Sequence, residues 1–137
     1  MREIKFRGKT EGGGKWVFGY LIKNNDGKCY IKDTDYNVNN GRIDIIPELV
    51  ALASVGEFTG LLDKNGREIY EGDLVVCYLS GARIGVVDTV LYNDESAAFE
   101  FKRRYTTIKA FLEHDGLYDT EIEVIGNVYE NKELENA

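Results

Sequence analysis

Five carboxylates crowd one short stretch of this chain: Glu57, Asp63, Glu68, Glu71 and Asp73. Carboxylates held in pairs can share the work of a general acid and a general base, or can hold a metal ion. Here each has a structural use at hand. Asp63 opens Asp63-Lys64-Asn65-Gly66, a turn whose first residue accepts a backbone N–H, and Asp73 follows Gly72 in the same manner. Turn and strand-edge roles are therefore the expected ones.

Other chemistry-bearing residues are poorly placed for reaction. Asp33-Thr34-Asp35-Tyr36-Asn37-Val38-Asn39, with Asp44, spaces its oxygens as a calcium loop does. Val38 stands where that loop needs glycine, and Asp replaces the closing Glu, so a polar loop is expected. His114 is the only histidine, and no nucleophile motif surrounds Ser54, Ser80, Ser96 or either cysteine. Cys29 and Cys77 lie alone in apolar contexts and read as small buried hydrophobes of strands. Gly12-Gly13-Gly14 lacks the lysine and hydroxyl of a phosphate loop, which leaves a turn. No catalytic residue, metal site or cofactor is expected.

One cluster points to binding. Lys102-Arg103-Arg104-Tyr105 sets cations beside Phe99, Phe101 and Tyr105, so phosphates and bases could be met together, with Arg7 as a further contact. The net charge of −7 opposes general affinity for nucleic acid, and a short basic run is ordinarily a solvated strand end. That charge is uneven. Residues 1–15 carry Arg2, Lys5, Arg7, Lys9 and Lys15 against Glu3 and Glu11, whereas residues 121–137 carry five glutamates against Lys132. Such asymmetry suits self-association through complementary surfaces, although it is more often just solvated surface.

The elements that must position these residues are mostly strands. With 43% hydrophobic and 12% aromatic residues, 137 residues can bury a core as one domain. Glu3-Ile4-Lys5-Phe6-Arg7 alternates, and Trp16-Val17-Phe18-Gly19-Tyr20-Leu21-Ile22 is too apolar to leave both faces wet. Asn24-Asn25-Asp26-Gly27 turns this strand back into Lys28-Cys29-Tyr30-Ile31-Lys32. The first third is thus an antiparallel meander. Pro47 to Ala53 reads as one or two helical turns, with a strand as the alternative. Phe58 to Leu62 and Arg67 to Tyr70 flank the Asp63–Gly66 hairpin loop. Strands follow from Asp73, over Arg83 to Tyr92, over Ala97 to Phe101, and over Glu121 to Tyr129. The Gly72-Asp73 turn launching a long apolar strand is similar to the opening of SH3-like barrels. Residues 105–118 mix helical spacing at Ile108, Phe111 and Leu112 with the strand preference of Thr106 and Thr107. No apolar run approaches the roughly 20 residues that cross a bilayer, and no signal peptide opens the chain, so the cytosol is the expected compartment.

Three blocks carry a family resemblance. Arg2-Glu3-Ile4-Lys5-Phe6-Arg7-Gly8 opens the chain, Gly56 to Val75 fills its middle, and Val124 to Asn131 closes it. The middle block holds Gly60, Asp63, Gly66, Tyr70, Gly72 and Asp73, and the last holds Gly126 and Asn127. Together they resemble the YopX-like family, although Pro47 to Ser54 departs from its usual pattern. The resemblance implies a phage or prophage protein of the bacterial cytosol, with a C-terminal SH3-like barrel and no established activity, so it carries over no catalytic residue. The expected organisation is a meander with its connection over residues 1–56, a barrel over 57–131 and a frayed tail over 132–137. The expected function is a non-enzymatic accessory or interaction module, acting on a phage or host protein or on itself through a β-barrel surface. A nucleic-acid-binding regulator is the alternative, and a metal-dependent hydrolase the third reading.

Overall fold

Alternating apolar residues broken by Asn, Asp and Gly give a chain of short strands, and in the computed structural model nearly all of them pair antiparallel with their neighbours. Residues 2–33, 46–113 and 119–137 are described, together with the backbone of a short pair, β4 (Val38–Asn39) and β5 (Arg42–Ile43). The chain divides into two compact units, Met1–Phe58 and Thr59–Ala137.

In the first unit β1 (Phe6–Lys9) pairs with β2 (Trp16–Lys23), β2 with β3 (Cys29–Asp33), and β3 with β6 (Glu48–Val50). Beyond β1, Phe6 and Arg7 lie opposite Glu57 and Gly56, the first residues of β7 (Gly56–Leu62). The meander is present as read. The Pro47–Ala53 segment differs from the helical expectation. Val50, Leu49 and Glu48 pair with Cys29, Tyr30 and Ile31, and only then does a 3-10 turn form at Leu52–Ser54. A ladder partner alongside outweighs the weak local preference for a helix start. One sheet face buries Cys29, Ile31 and Val50 among Phe6, Val17, Leu21 and Val55.

The second unit begins with the hairpin of β7 into β8 (Glu68–Tyr70) and continues through β9 (Asp73–Leu79), β10 (Ala82–Asn93), β11 (Ala98–Phe101) and β12 (Thr120–Asn127). Its four-stranded sheet runs β11-β10-β9-β12, and no pairing among the described residues closes it into a ring. The short helix α1 (Ile108–Glu113) packs on both edge strands instead. Phe111 meets the Phe101 ring edge-on at 5.4 Å, and Thr120 Oγ1 on β12 donates to the Phe111 carbonyl. One core cluster gathers Ile69, Val75, Cys77, Val90, Phe101, Ile108, Phe111, Ile122 and Val124. Each fully buried aliphatic there stabilises by about 1.5–3 kcal/mol.

β9 is buried on both faces because a second cluster, Leu74, Val76 and Val87, lies on its other side. Part of that cover is the chain end expected to fray. Residues 132–137 carry a 3-10 turn at Lys132–Leu134, and Leu134 packs against this cluster beside Val128. An apolar sheet face left bare would attract whatever apolar side chain lies within reach, and Leu134 is that residue.

Candidate functional site

The signature carboxylates are built into turns. Asp63 is buried at the head of the β7–β8 loop. Its Oδ1 accepts the Asn65 and Arg67 N–H groups at 2.8 and 2.9 Å, and its Oδ2 accepts the Val124 N–H of β12 at 3.0 Å. Gly66 completes the loop at φ +80°, and its N–H donates to the Asp63 carbonyl. Asp73 is 1% exposed, and its Oδ2 accepts the Tyr70 N–H at 2.7 Å, closing the turn over Gly72. The Gly72 N–H donates to the Val90 carbonyl, and the Gly72 carbonyl accepts the Val128 N–H. The Tyr70 hydroxyl donates to Glu68 at 3.0 Å. Asn127 Oδ1 accepts the Glu130 N–H, while Asn131 Oδ1 reaches back to the Asn127 N–H beside Gly126. Gly60 takes a positive φ inside β7. Buried Ser54 donates to the Ala51 carbonyl and accepts the Lys9 N–H, and Ser96 donates to Glu100. Apart from the Tyr70 and Ser96 hydroxyls, which meet glutamate side chains, these groups hold backbone, and no three His, Cys, Asp or Glu side chains converge among the described residues. The calcium-like ligands at residues 34–37 and 44, and His114, lie outside those residues.

The basic run is brought together in the second unit, where its cations meet internal partners. Asp88, unremarked in the sequence, explains much of this. It is buried in β10, and its Oδ1 accepts the Arg103 N–H at 2.9 Å, while Arg104 Nε lies 4.0 Å from Oδ2. Arg104 also donates to the Ile84 carbonyl and stands 5.8 Å over the Phe111 ring. Arg103 donates to Asn136 Oδ1 at 2.6 Å, and Lys102 faces Glu135 at 3.5 Å, so both latch the C-terminal turn. Tyr105 alone is fully exposed. A groove of about 370 Å³ beside it is lined by Ile84, Arg104, Tyr105 and Phe111, among others. The sole sequence signal for these pairings was an Asp inside the apolar run Val86-Val87-Asp88-Thr89-Val90.

In the core of this unit burial pushes the Cys77 thiol from its ordinary 9.0 up to about 11, offset in part by the nearby Arg104 guanidinium. Between those values an unfolded chain sheds the proton that the folded chain keeps. Stability from this group is therefore full below pH 9 and falls as pH rises toward 11, at most about 1.4 kcal/mol per pH unit. We expect the urea midpoint to drop over that window in the wild type and by less in Cys77→Val. An equal drop in both would show that other groups govern the alkaline limb. Nor should Cys77 react with thiol reagents in native protein near neutral pH.

The first unit presents several exposed apolar side chains along one strand. Side chains alternate along β2, so Val17 and Leu21 enter the core while Trp16, Phe18, Tyr20 and Ile22 take the opposite face. Phe18 is 43% exposed, Tyr20 55% and Ile22 39%. Directly paired residues share a face, which sets Arg7 beside Phe18, Lys9 beside Trp16, Lys32 beside Tyr20, and Tyr30 beside Ile22. The Arg7 guanidinium lies 5.0 Å and the Lys9 ammonium 5.9 Å from the Trp16 ring centroid. Arg7 thus lies in the first unit, among aromatics that sequence reasoning took only as a half-buried strand. The period-two run Trp-x-Phe-x-Tyr-x-Ile was the available signal.

No helix of the described residues is long and apolar enough to cross a membrane. No curated protein matches the chain. Among solved structures, the crystal structure of protein EF1440 from Enterococcus faecalis is similar in fold, with a TM-score of 0.62 at 22% identity, covering 99% of this chain and 100% of that one. The family described as YopX protein matches residues 5–135. Blocks read from the sequence and a match over nearly all its length agree, and the chain belongs to the YopX family.

Proposed function

We propose that this protein is a non-enzymatic accessory or interaction module of phage or prophage origin, working in the cytosol of its bacterial host through an exposed β-sheet face. One observation carries the reading. The β2 face of the first unit presents Phe18, Tyr20 and Ile22 together, partly exposed, where an ordinary surface strand alternates with polar residues. The surface is therefore the open face of the meander rather than the barrel surface anticipated from sequence. Consistent with a binding role, Asp63 and Asp73 are held by backbone N–H groups, which leaves them poor candidates for moving protons.

The test pairs a binding and a catalytic arm. Tagged protein expressed in prophage-bearing cells should retain a specific co-purifying component that Phe18→Ala with Tyr20→Ala releases, while circular dichroism and thermal midpoint stay unchanged. Reproducible turnover of a phosphodiester, ester, peptide or glycoside that disappears in Glu71→Ala or Asp73→Ala, with fold retained, would overturn it.

A further inference from the structure

The exposed face of β2 differs from a simple apolar patch in what surrounds it. Within the strands of the first unit, the residues sharing this face include Arg7, Lys9 and Lys32. The two carboxylates of β1, β2, β3 and β6 are Asp33 and Glu48, and both fall on the other side by register, opposite Gly19 and Ile31. Lys32 has no carboxylate partner among the described residues. The face is thus cationic and aromatic, without an acidic residue in its strands.

The net charge of −7 does not oppose a polyanion here. Residues 1–58 hold nine Lys and Arg against eight Asp and Glu, and residues 59–137 hold eight against sixteen, which gives +1 and −8. Nearly all the repulsion belongs to the second unit.

Spacing then selects among polyanions. Phe18 and Tyr20 are two residues apart on one strand, so their rings repeat at about 6.6 Å. That is about twice the 3.4 Å rise between stacked bases of a duplex. The rings therefore suit bases drawn apart along a single strand, each lying on one ring, with Arg7 and Lys32 on the flanking strands placed for phosphates. A second copy of the chain fits less well. Two such faces packed about a two-fold axis would crowd two sets of Arg7, Lys9 and Lys32, all of one sign, into one interface.

We infer that the open face of the β1–β2–β3 meander binds single-stranded nucleic acid, with Phe18 and Tyr20 stacking on bases and Arg7, Lys9 and Lys32 contacting the backbone. The inference rests on the reading of this face as the interaction surface and names what occupies it.

The full chain is titrated with labelled homothymidine and homouridine oligonucleotides of about a dozen nucleotides, within the span that single-strand folds cover. Anisotropy and Trp16 emission are followed as salt is raised. We expect binding that weakens with salt, Trp16 quenching, and affinity reduced about tenfold or more in Phe18→Leu with Tyr20→Leu, which keeps apolar bulk but removes the rings. Lys32→Gln should flatten the salt dependence, and Lys102→Ala with Arg103→Ala should leave binding unchanged. Preference for one oligonucleotide over the other supports the assignment. Absence of binding at low salt, or equal binding of duplex DNA and polyglutamate, overturns it. If no oligonucleotide binds yet Phe18→Ala with Tyr20→Ala still releases a co-purifying protein, the nucleic-acid assignment falls while the module reading stands. If that pair releases nothing either, both fall.

Discussion

Replacing Asp63 with Ala should destabilise the protein by about 4 kcal/mol, a large part of the 5–15 kcal/mol that holds a typical domain folded. The carboxylate accepts three backbone N–H groups. Hydrogen bonds to a charged acceptor contribute about 1.5–3 kcal/mol each, and a buried donor left without one carries its full desolvation penalty. The three losses differ. The Asn65 and Arg67 amides are only part-buried and can recover water, whereas the Val124 amide bond is buried. Most of the loss should therefore fall on the connection between the β7–β8 hairpin and β12. Asp63→Asn keeps one carbonyl oxygen for the loop amides but turns an NH2 group toward the Val124 N–H, donor against donor, and should cost about 2 kcal/mol. Urea unfolding of both variants measures this. A loss below about 1 kcal/mol for Asp63→Ala would mean that the three amides find water without difficulty. That Asp is the only side chain with two acceptor oxygens short enough for this position explains why a carboxylate stands here without doing chemistry.

Gly19→Ala is expected to break the meander. Gly19 lies in β2 opposite Asp33, at φ +155°, and a Cβ built there would stand 1.9 Å from the Lys32 carbonyl oxygen and 2.7 Å from its carbon. Both atoms are backbone, so no rotamer change can relieve the overlap, and the β2–β3 pairing must part. We expect a loss of about 3 kcal/mol or more, in the range of the most damaging single substitutions. Hydrogen exchange reads it directly, through faster exchange of the β2 and β3 amides around Tyr20 and Ile31. Protection equal to wild type at those amides would show that the two strands can separate without loss. The same glycine lies between Phe18 and Tyr20, so this variant should also disorder the proposed binding face, whereas Tyr20→Ala alters the face and spares the pairing.

These two residues show how unevenly the structure could be read in advance. Asp63 was legible because its role is local: Asp, Asn and Gly at fixed offsets specify a turn within five residues of chain. Its third bond, to Val124, spans 61 residues and left no trace in the local pattern. Gly19 looked like an ordinary interruption of an apolar strand, and only the neighbouring backbone shows why a side chain cannot stand there. The ambiguity over residues 105–113 resolves the same way, and residues 114–118 lie outside the described ones. Thr107 makes a single bridge to Glu100, as its strand preference suggests, and then its Oγ1 accepts the Ala110 N–H to start α1. Both local signals were sound, and one residue serves both.

Period-two alternation, turn residues and the three family blocks thus determined by themselves that this is a mainly β, antiparallel protein of the YopX family, with strands and hairpin loops close to where they stand. These are properties of adjacent residues, whose side chains alternate and whose φ preferences are their own. The tertiary structure decided where the cations stand and which residues share a face. Lys102, Arg103 and Arg104 form the densest basic run in the chain, yet Asp88, the Ile84 carbonyl and the C-terminal turn hold them. Arg7, Lys9 and Lys32 are scattered in sequence and share one sheet face beside Phe18 and Tyr20 only because antiparallel register sets them there. Charge pairing and exposure depend on distances across strands, and no spacing along the chain encodes those distances.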